Sequence, residues 1–145
     1  MNKICLTIVV GLFVVSCGKK EVFELASCYF ENTGNLQFIK KQLPKIAQIS
    51  TVNDMFAADF DGDGIKDVLL VGNNYEISTQ LGRMDASHGV LLSFTSDGPI
   101  WNENVSIDIS GPARSIEKAT INNKEHYIIG INDSKPLFLE KTINE

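Results

Sequence analysis

Short apolar and β-prone runs, separated by turn-forming residues, fill the chain from residue 28 onward. Asn, Asp, Gly and Pro occupy most of the gaps, which is the pattern of strands joined by turns. No window keeps an apolar repeat of helical period for more than two turns. The pattern therefore predicts an all-β chain, with strand runs at residues 28–31, 36–40, 46–52, 55–58, 68–71, 89–94, 105–109, 115–121, 127–131 and 136–140.

The first sixteen residues carry the pattern of a secretion signal and are set apart from the fold. Lys3 precedes an apolar run at 4–15, which is too short to cross a bilayer core of about 30 Å. The following Val-Val-Ser-Cys resembles a bacterial lipobox, and this implies that Cys17 is lipidated and that residues 17–27 form a tether. An ordinary signal peptide with a chance cysteine is the alternative.

An acidic loop at residues 57–73 is the most specific motif of the sequence. Alternating carboxylates converge on one hard cation when glycines permit a tight turn, and such cations take six to eight oxygen ligands. The spacing predicts a calcium loop followed by a strand. The predicted ligands are the side chains of Asp59, Asp61, Asp63 and Asp67, together with the backbone carbonyl of Ile65 at loop position seven.

Two alternatives compete with a calcium loop of this kind. Asp and Gly are ordinary turn residues, so the segment could be a solvated turn. An EF-hand needs a glutamate at loop position twelve and a helix behind it, but Leu70 stands there within an apolar β-prone run. The crowding of four carboxylates favours a bound cation over the plain turn.

This loop and the segments after it resemble the FG-GAP and VCBS-type repeats that form β-propeller blades. The resemblance covers about residues 28–140 and implies a β domain at 28–145 with calcium bound at the loop. The Phe-Gly and Gly-Ala-Pro sequences of the integrin-type repeat are absent, and the loop occurs once. Four blades would need about 160 residues, whereas 145 − 16 = 129 follow the signal. We therefore expect about two antiparallel blades, an incomplete propeller whose open edges suit a protein partner or self-association.

The segment from Tyr75 to His88 is rich in polar side chains and is a second candidate site. Contacts to a ligand could come from Glu76, Arg83 and Asp85, and we expect Arg83 to bridge Asp85 or Glu76. A Ser87-His88 hydrolase is disfavoured, because side chains of sequence neighbours diverge in an extended chain. Trp101 could stack on a glycan together with Tyr75, or pack within the fold.

The charge narrows the choice of partners. A formal net charge of −5 and a pI near 5.0 argue against nucleic acid as a partner.

The sequence as a whole predicts a calcium-binding lipoprotein of the bacterial cell envelope, anchored to the membrane by lipid and acting as a non-catalytic binding or structural module. An accessory carbohydrate-binding or adhesion protein is the alternative, and a small hydrolase is a weaker one.

Overall fold

The structure is a computed structural model that describes residues 24–77, 80, 82–105 and 107–140. The predicted signal peptide, Cys17 and the tether up to residue 23 lie outside these residues. The all-β prediction is confirmed: the described chain holds nine strands and one 3-10 helix. No helix within it is long and apolar enough to cross a membrane. The strands are β1 (Cys28–Gly34), β2 (Gln37–Gln42), β3 (Val52–Ala58), β4 (Asp67–Gly72), β5 (Val90–Thr95), β6 (Gly98–Trp101), β7 (Ala113–Ile121), β8 (Lys124–Ile131) and β9 (Leu137–Glu140).

The chain divides into two compact units between Leu43 and Pro44. In the first, β1 and β2 form an antiparallel hairpin. Its turn is made by Asn35 and Leu36, at φ 51° and 61°. Leu36 was expected to open a strand, and this is wrong because its left-handed backbone closes the turn instead.

The second unit begins with a four-stranded antiparallel sheet in the order β3-β4-β5-β6. Every residue of β4 is buried, which explains its unbroken apolar run. The expected strand at 46–52 is wrong in its first part, because a 3-10 helix at Lys45–Gln48 follows Pro44. A turn was expected at residues 96–99, but Gly98 and Pro99 belong to strand β6. Pro99 lies there in an end strand of the sheet, where a missing N–H is tolerated.

A three-stranded antiparallel sheet, β7-β8-β9, completes the second unit. Asn122 and Asn123, at φ 52° and 61°, form the predicted tight turn between β7 and β8. The expected strand at 105–109 is wrong for the described part of that segment, which joins no sheet. Ile109 is nevertheless buried, and its N–H donates to the carbonyl of His88.

The core of the second unit combines side chains from both sheets. Its fully buried members are Leu69, Val71, Leu91, Ile109, Ala113, Ile116, Tyr127 and Ile129. Tyr127 sits against two rings from the other sheet and its loop, with centroid distances of 5.4 Å to Phe56 and 4.8 Å to Phe60. Phe60 belongs to the acidic loop, so the loop is anchored in the core.

Polar side chains of β3 also bridge the two sheets. The amide nitrogen of Asn53 donates to the carbonyl of Ala113 at 2.7 Å, and the N–H of Ile116 donates to the carboxylate of Asp54 at 2.9 Å. These bonds satisfy backbone groups of β7 that have no ladder partner on that side, and they fix the sheets against each other.

Asn73, directly after β4, is the most connected polar side chain of the core. Its oxygen accepts from the Ser50 hydroxyl at 2.8 Å and from the Ser87 N–H at 3.0 Å. Its nitrogen donates to the carbonyls of Ser87 at 2.7 Å and Gly111 at 3.1 Å. Asn73 is 1% exposed and has a φ of 85°. One amide therefore ties together three loops that lie far apart in sequence.

Candidate functional site

The acidic loop joins β3 to β4, between the paired residues Ala58 and Asp67. It reverses direction through Gly62 and Gly64, whose φ angles of 87° and 84° lie in the left-handed region that favours glycine. The two glycines let the backbone fold inward around the aspartates. The hairpin thus brings Asp59, Asp61 and Asp67 together through local chain geometry.

Three of the predicted ligands converge. One carboxylate oxygen from each of Asp59, Asp61 and Asp67 lies within 4.8 Å of the others. Asp67 is 2% exposed, Asp59 is half-buried and Asp61 is exposed. The cluster therefore runs from the edge of the core to the surface.

Backbone N–H groups of the loop hold these carboxylates in place. Gly62 and Gly64 donate to the two oxygens of Asp59 at 2.5 and 3.0 Å. Asp63 donates to Asp61 at 3.3 Å, and Phe60 donates to Asp67 at 2.9 Å. The loop is therefore internally hydrogen-bonded around its acidic centre.

Two further residues complete the cluster, and the sequence did not point to them. The Ser93 hydroxyl donates to Asp67 at 2.6 Å, and the amide nitrogen of Asn102 donates to Ser93 at 2.9 Å and to Asp61 at 3.3 Å. Ser93 comes from β5 and Asn102 follows β6. The polar interruption of the apolar run at 89–94 by Ser93 is the one signal that could have revealed it.

The remaining predicted ligands lie beside the cluster. Asp63 is not among the converging carboxylates, and its oxygen accepts the N–H of Ile65 at 2.6 Å. The side chain of Ile65 is 52% exposed. An apolar side chain at this exposed position is compatible with a role carried by the backbone carbonyl.

The three carboxylates of the cluster could hold a metal ion. Carboxylate oxygens are the ligands that Ca²⁺ and Mg²⁺ prefer. Two oxygens on opposite sides of Ca²⁺ are about 4.6 to 5.2 Å apart, since each Ca–O distance is about 2.3 to 2.6 Å. The three oxygens lie within 4.8 Å of one another and are therefore close enough to contact one ion.

The second candidate segment makes different contacts from those expected. Glu76 pairs with Arg114 at 3.0 Å and accepts from Asn132 at 3.2 Å, so its ion pair is not with Arg83. The guanidinium of Arg83 lies over the ring of Tyr75, 4.9 Å from its centroid. Asp85 is exposed. These contacts attach the segment to β7 and to the turn after β8.

Ser87 and His88 are directed to separate partners. The Ser87 hydroxyl accepts from the N–H of Gly89 at 3.3 Å, while His88 contacts Asp108 at 3.1 Å. Ser87 itself is buried beside Asn73. Trp101, at the end of β6, is 45% exposed. The guanidinium of Arg83 covers the ring of Tyr75. The two aromatic residues predicted to stack on a glycan therefore lie in different environments.

Comparisons with known proteins add no relative. No family model matches the chain, and neither the curated proteins nor the solved structures contain a significant match. The resemblance to FG-GAP and VCBS-type repeats stays a prediction from the residues quoted above.

Proposed function

We propose that the acidic loop binds one Ca²⁺ ion through Asp59, Asp61 and Asp67, with Asp63 and the Ile65 carbonyl as further ligands. The role of the ion is structural, and the protein is a non-catalytic binding or structural module. The observation that carries this proposal is the convergence of three carboxylates within 4.8 Å, one of them buried at the edge of the core.

Electrostatics supports a cation at this place. All six carboxylate oxygens of the cluster accept hydrogen bonds from neutral groups, either backbone N–H groups or the side chains of Ser93 and Asn102. Such bonds orient the carboxylates but leave their negative charges in place, so the charges repel one another. Each oxygen keeps a second lone pair for a metal. A divalent cation would use those lone pairs and offset the repulsion.

The position of the loop gives the ion its structural effect. Phe60 lies between two of the proposed ligands and packs on Tyr127 of the opposite sheet. Asp67 is the first residue of the fully buried β4. An ion that fixes the loop would therefore hold the packing of both sheets.

The sheet topology and the predicted lipid anchor extend the proposal to the whole protein. A four-stranded antiparallel sheet is the unit of a propeller blade, and the order β3-β4-β5-β6 has that form. We assign the two sheets of the second unit to two blades of an incomplete propeller. Lipid at Cys17 would hold the protein to a membrane of the bacterial cell envelope. The outer strands β6 and β9 have open edges to which a protein partner or a second copy of the chain would bind.

Thermal unfolding with calcium, magnesium or chelator tests the calcium proposal. At a free calcium concentration ten times the dissociation constant, binding adds about 1.4 kcal/mol to the free energy of unfolding. For a domain of about 100 to 130 residues that corresponds to a rise of roughly 5 to 7 °C in melting temperature. The full chain in a nonionic detergent should show this rise with calcium and a smaller one with magnesium.

Two substitutions give the matched comparison. Asp61→Asn changes an exposed member of the cluster and should remove most of the calcium-dependent rise. Asp97→Asn changes an exposed aspartate in the turn between β5 and β6 and should leave the rise intact. An unchanged rise in the Asp61→Asn protein would refute the ligand assignment. If calcium does not raise the melting temperature of the unaltered protein, the loop is only a turn and the calcium proposal is refuted.

A further inference from the structure

A cleft of about 330 Å³ opens in the second unit, and Asn102, which contacts Asp61 of the acidic loop, is one of its lining residues. Aliphatic residues from three segments line the cleft, among them Ile46, Val90, Leu91 and Ile107, and together they are called its floor. The volume lies at the lower end of the range of about 300 to 1,000 Å³ found for small-molecule sites. The floor offers apolar contact to a ligand of modest size.

Trp101 forms one wall of the cleft and is 45% exposed. Asn102 beside it is already engaged, because its nitrogen donates to Asp61 and Ser93 and its oxygen accepts the N–H of Asn104 at 3.1 Å. The donor group of the carboxamide is therefore engaged, whereas its oxygen keeps one lone pair. The partly exposed indole of Trp101 supplies the aromatic group of this wall.

The ionisable residues that line the cleft are His88 and Glu103, and neither Lys nor Arg is among its lining residues. His88 is directed to the carboxylate of Asp108 at 3.1 Å. Glu103 is exposed and has no hydrogen bond or ion pair with any other residue that the structure describes. The lining thus combines an available carboxylate with an available aromatic face.

We propose that this cleft binds an organic ammonium ion that carries an apolar portion. The face of a Trp ring attracts a cation, and organic ammonium ions are recognised in this way. Glu103 would supply the opposite charge, and the aliphatic floor would receive the apolar portion. An anionic ligand is disfavoured by Glu103 and by the net charge of −5. A sugar would need several donors and acceptors, and the amide nitrogen of Asn102 already donates to Asp61 and Ser93.

The proposal is separate from calcium binding. Asn102 contacts both the acidic loop and the cleft, but the groups assigned to the ligand are Trp101, Glu103 and the aliphatic floor. Binding is therefore measured both with calcium and with chelator. Loss of ammonium binding in both conditions would overturn this proposal alone and would leave the calcium proposal standing.

Trp101 is the only tryptophan of the chain, so its fluorescence reports on the cleft. The probes are choline and its neutral isostere 3,3-dimethyl-1-butanol, titrated into the full chain in a polyoxyethylene detergent, which carries neither sugar nor charge. Choline should change the fluorescence to saturation and bind about tenfold more tightly than the neutral alcohol. Equal affinities, or no saturable change with choline, would overturn the proposal. Saturable binding of glucose without binding of choline would overturn it in favour of a glycan site.

A matched pair of variants locates the charge. Glu103→Gln keeps the size of the side chain and should weaken choline binding about fivefold or more, as removal of a close opposite charge predicts. Glu117→Gln changes an exposed glutamate of β7 outside the cleft and should leave binding unaltered. Equal choline affinities in the two variants would refute the assignment of Glu103.

Discussion

Replacing Asn73 by alanine removes the amide that joins three loops of the second unit. The substitution deletes hydrogen bonds to Ser50, Gly111 and both backbone groups of Ser87. It also places an alanine at a φ of 85°, a conformation that asparagine tolerates better. We expect a large loss of stability with the native fold retained in the absence of denaturant.

The magnitude follows from the burial of the groups left behind. Ser87 is 8% exposed, and each unsatisfied buried group costs about 1 to 3 kcal/mol. Its N–H and carbonyl together account for about 2 to 6 kcal/mol. Ser50 and Gly111 are half-buried, so water can replace part of their lost bonds. The left-handed backbone adds about 1 kcal/mol. The total of about 3 to 7 kcal/mol is a large share of a typical margin of about 5 to 15 kcal/mol.

Urea unfolding followed by the fluorescence of Trp101 measures this loss directly. Asn123→Ala is the control, because Asn123 has a φ of 61° but is exposed in a turn, and its replacement should cost only about 1 kcal/mol. Asn73→Gly removes the amide without the backbone strain and should lie about 1 kcal/mol above Asn73→Ala in stability. If Asn73→Ala costs no more than Asn123→Ala, the role assigned to the buried amide is refuted.

Two further predictions concern the core and its response to pH. A Cβ at Gly72 would lie 1.7 Å from the Thr51 carbonyl oxygen, so Gly72→Ala should lower the free energy of unfolding by about 3 kcal/mol or more, measured with urea. Gly64→Ala is the control, because nothing lies within 4 Å of its Cβ, and it should cost about 1 kcal/mol. Equal losses of stability in the two variants would contradict the clash at Gly72. Burial, and then the charge of Glu125, raise the pKa of Tyr127 above its ordinary value. The unfolded chain therefore ionises first, and the free energy of unfolding should fall as pH rises above about 10. Tyr127→Phe should show a shallower fall over that range, and an identical pH profile would exclude Tyr127 as its source.

The acidic loop was predictable because its geometry is local. Asp59 and Asp67 flank one hairpin turn, and glycines at the required positions let the chain bring them together. Ser93 was not predictable as a contact of Asp67, since it lies 26 residues away and reaches Asp67 only through the pairing of β4 with β5. Asn102 depends in addition on β6.

The errors in the strand assignment have similar causes. Gly98 and Pro99 favour a turn locally, but pairing with β5 places them in a strand at the end of its sheet. Residues 105–109 alternate between apolar and polar like a strand. Ile109, however, is buried by packing in the core, and its N–H bonds to the carbonyl of His88 instead of to a neighbouring strand. In each case a tertiary contact overrode a local preference.

The connections made by Asn73 also constrain the order in which the chain acquires structure. Its amide reaches Gly111, 38 residues further along. A chain that emerges from its N-terminus first, from a ribosome or an export channel, presents β3 and β4 before that partner exists. The same interval leaves Leu69 and Leu91 without the residues of β7 and β8 that later cover them. The four-stranded sheet is therefore most exposed to aggregation while β7 is still missing, and any factor that binds the emerging chain would have to act in that interval.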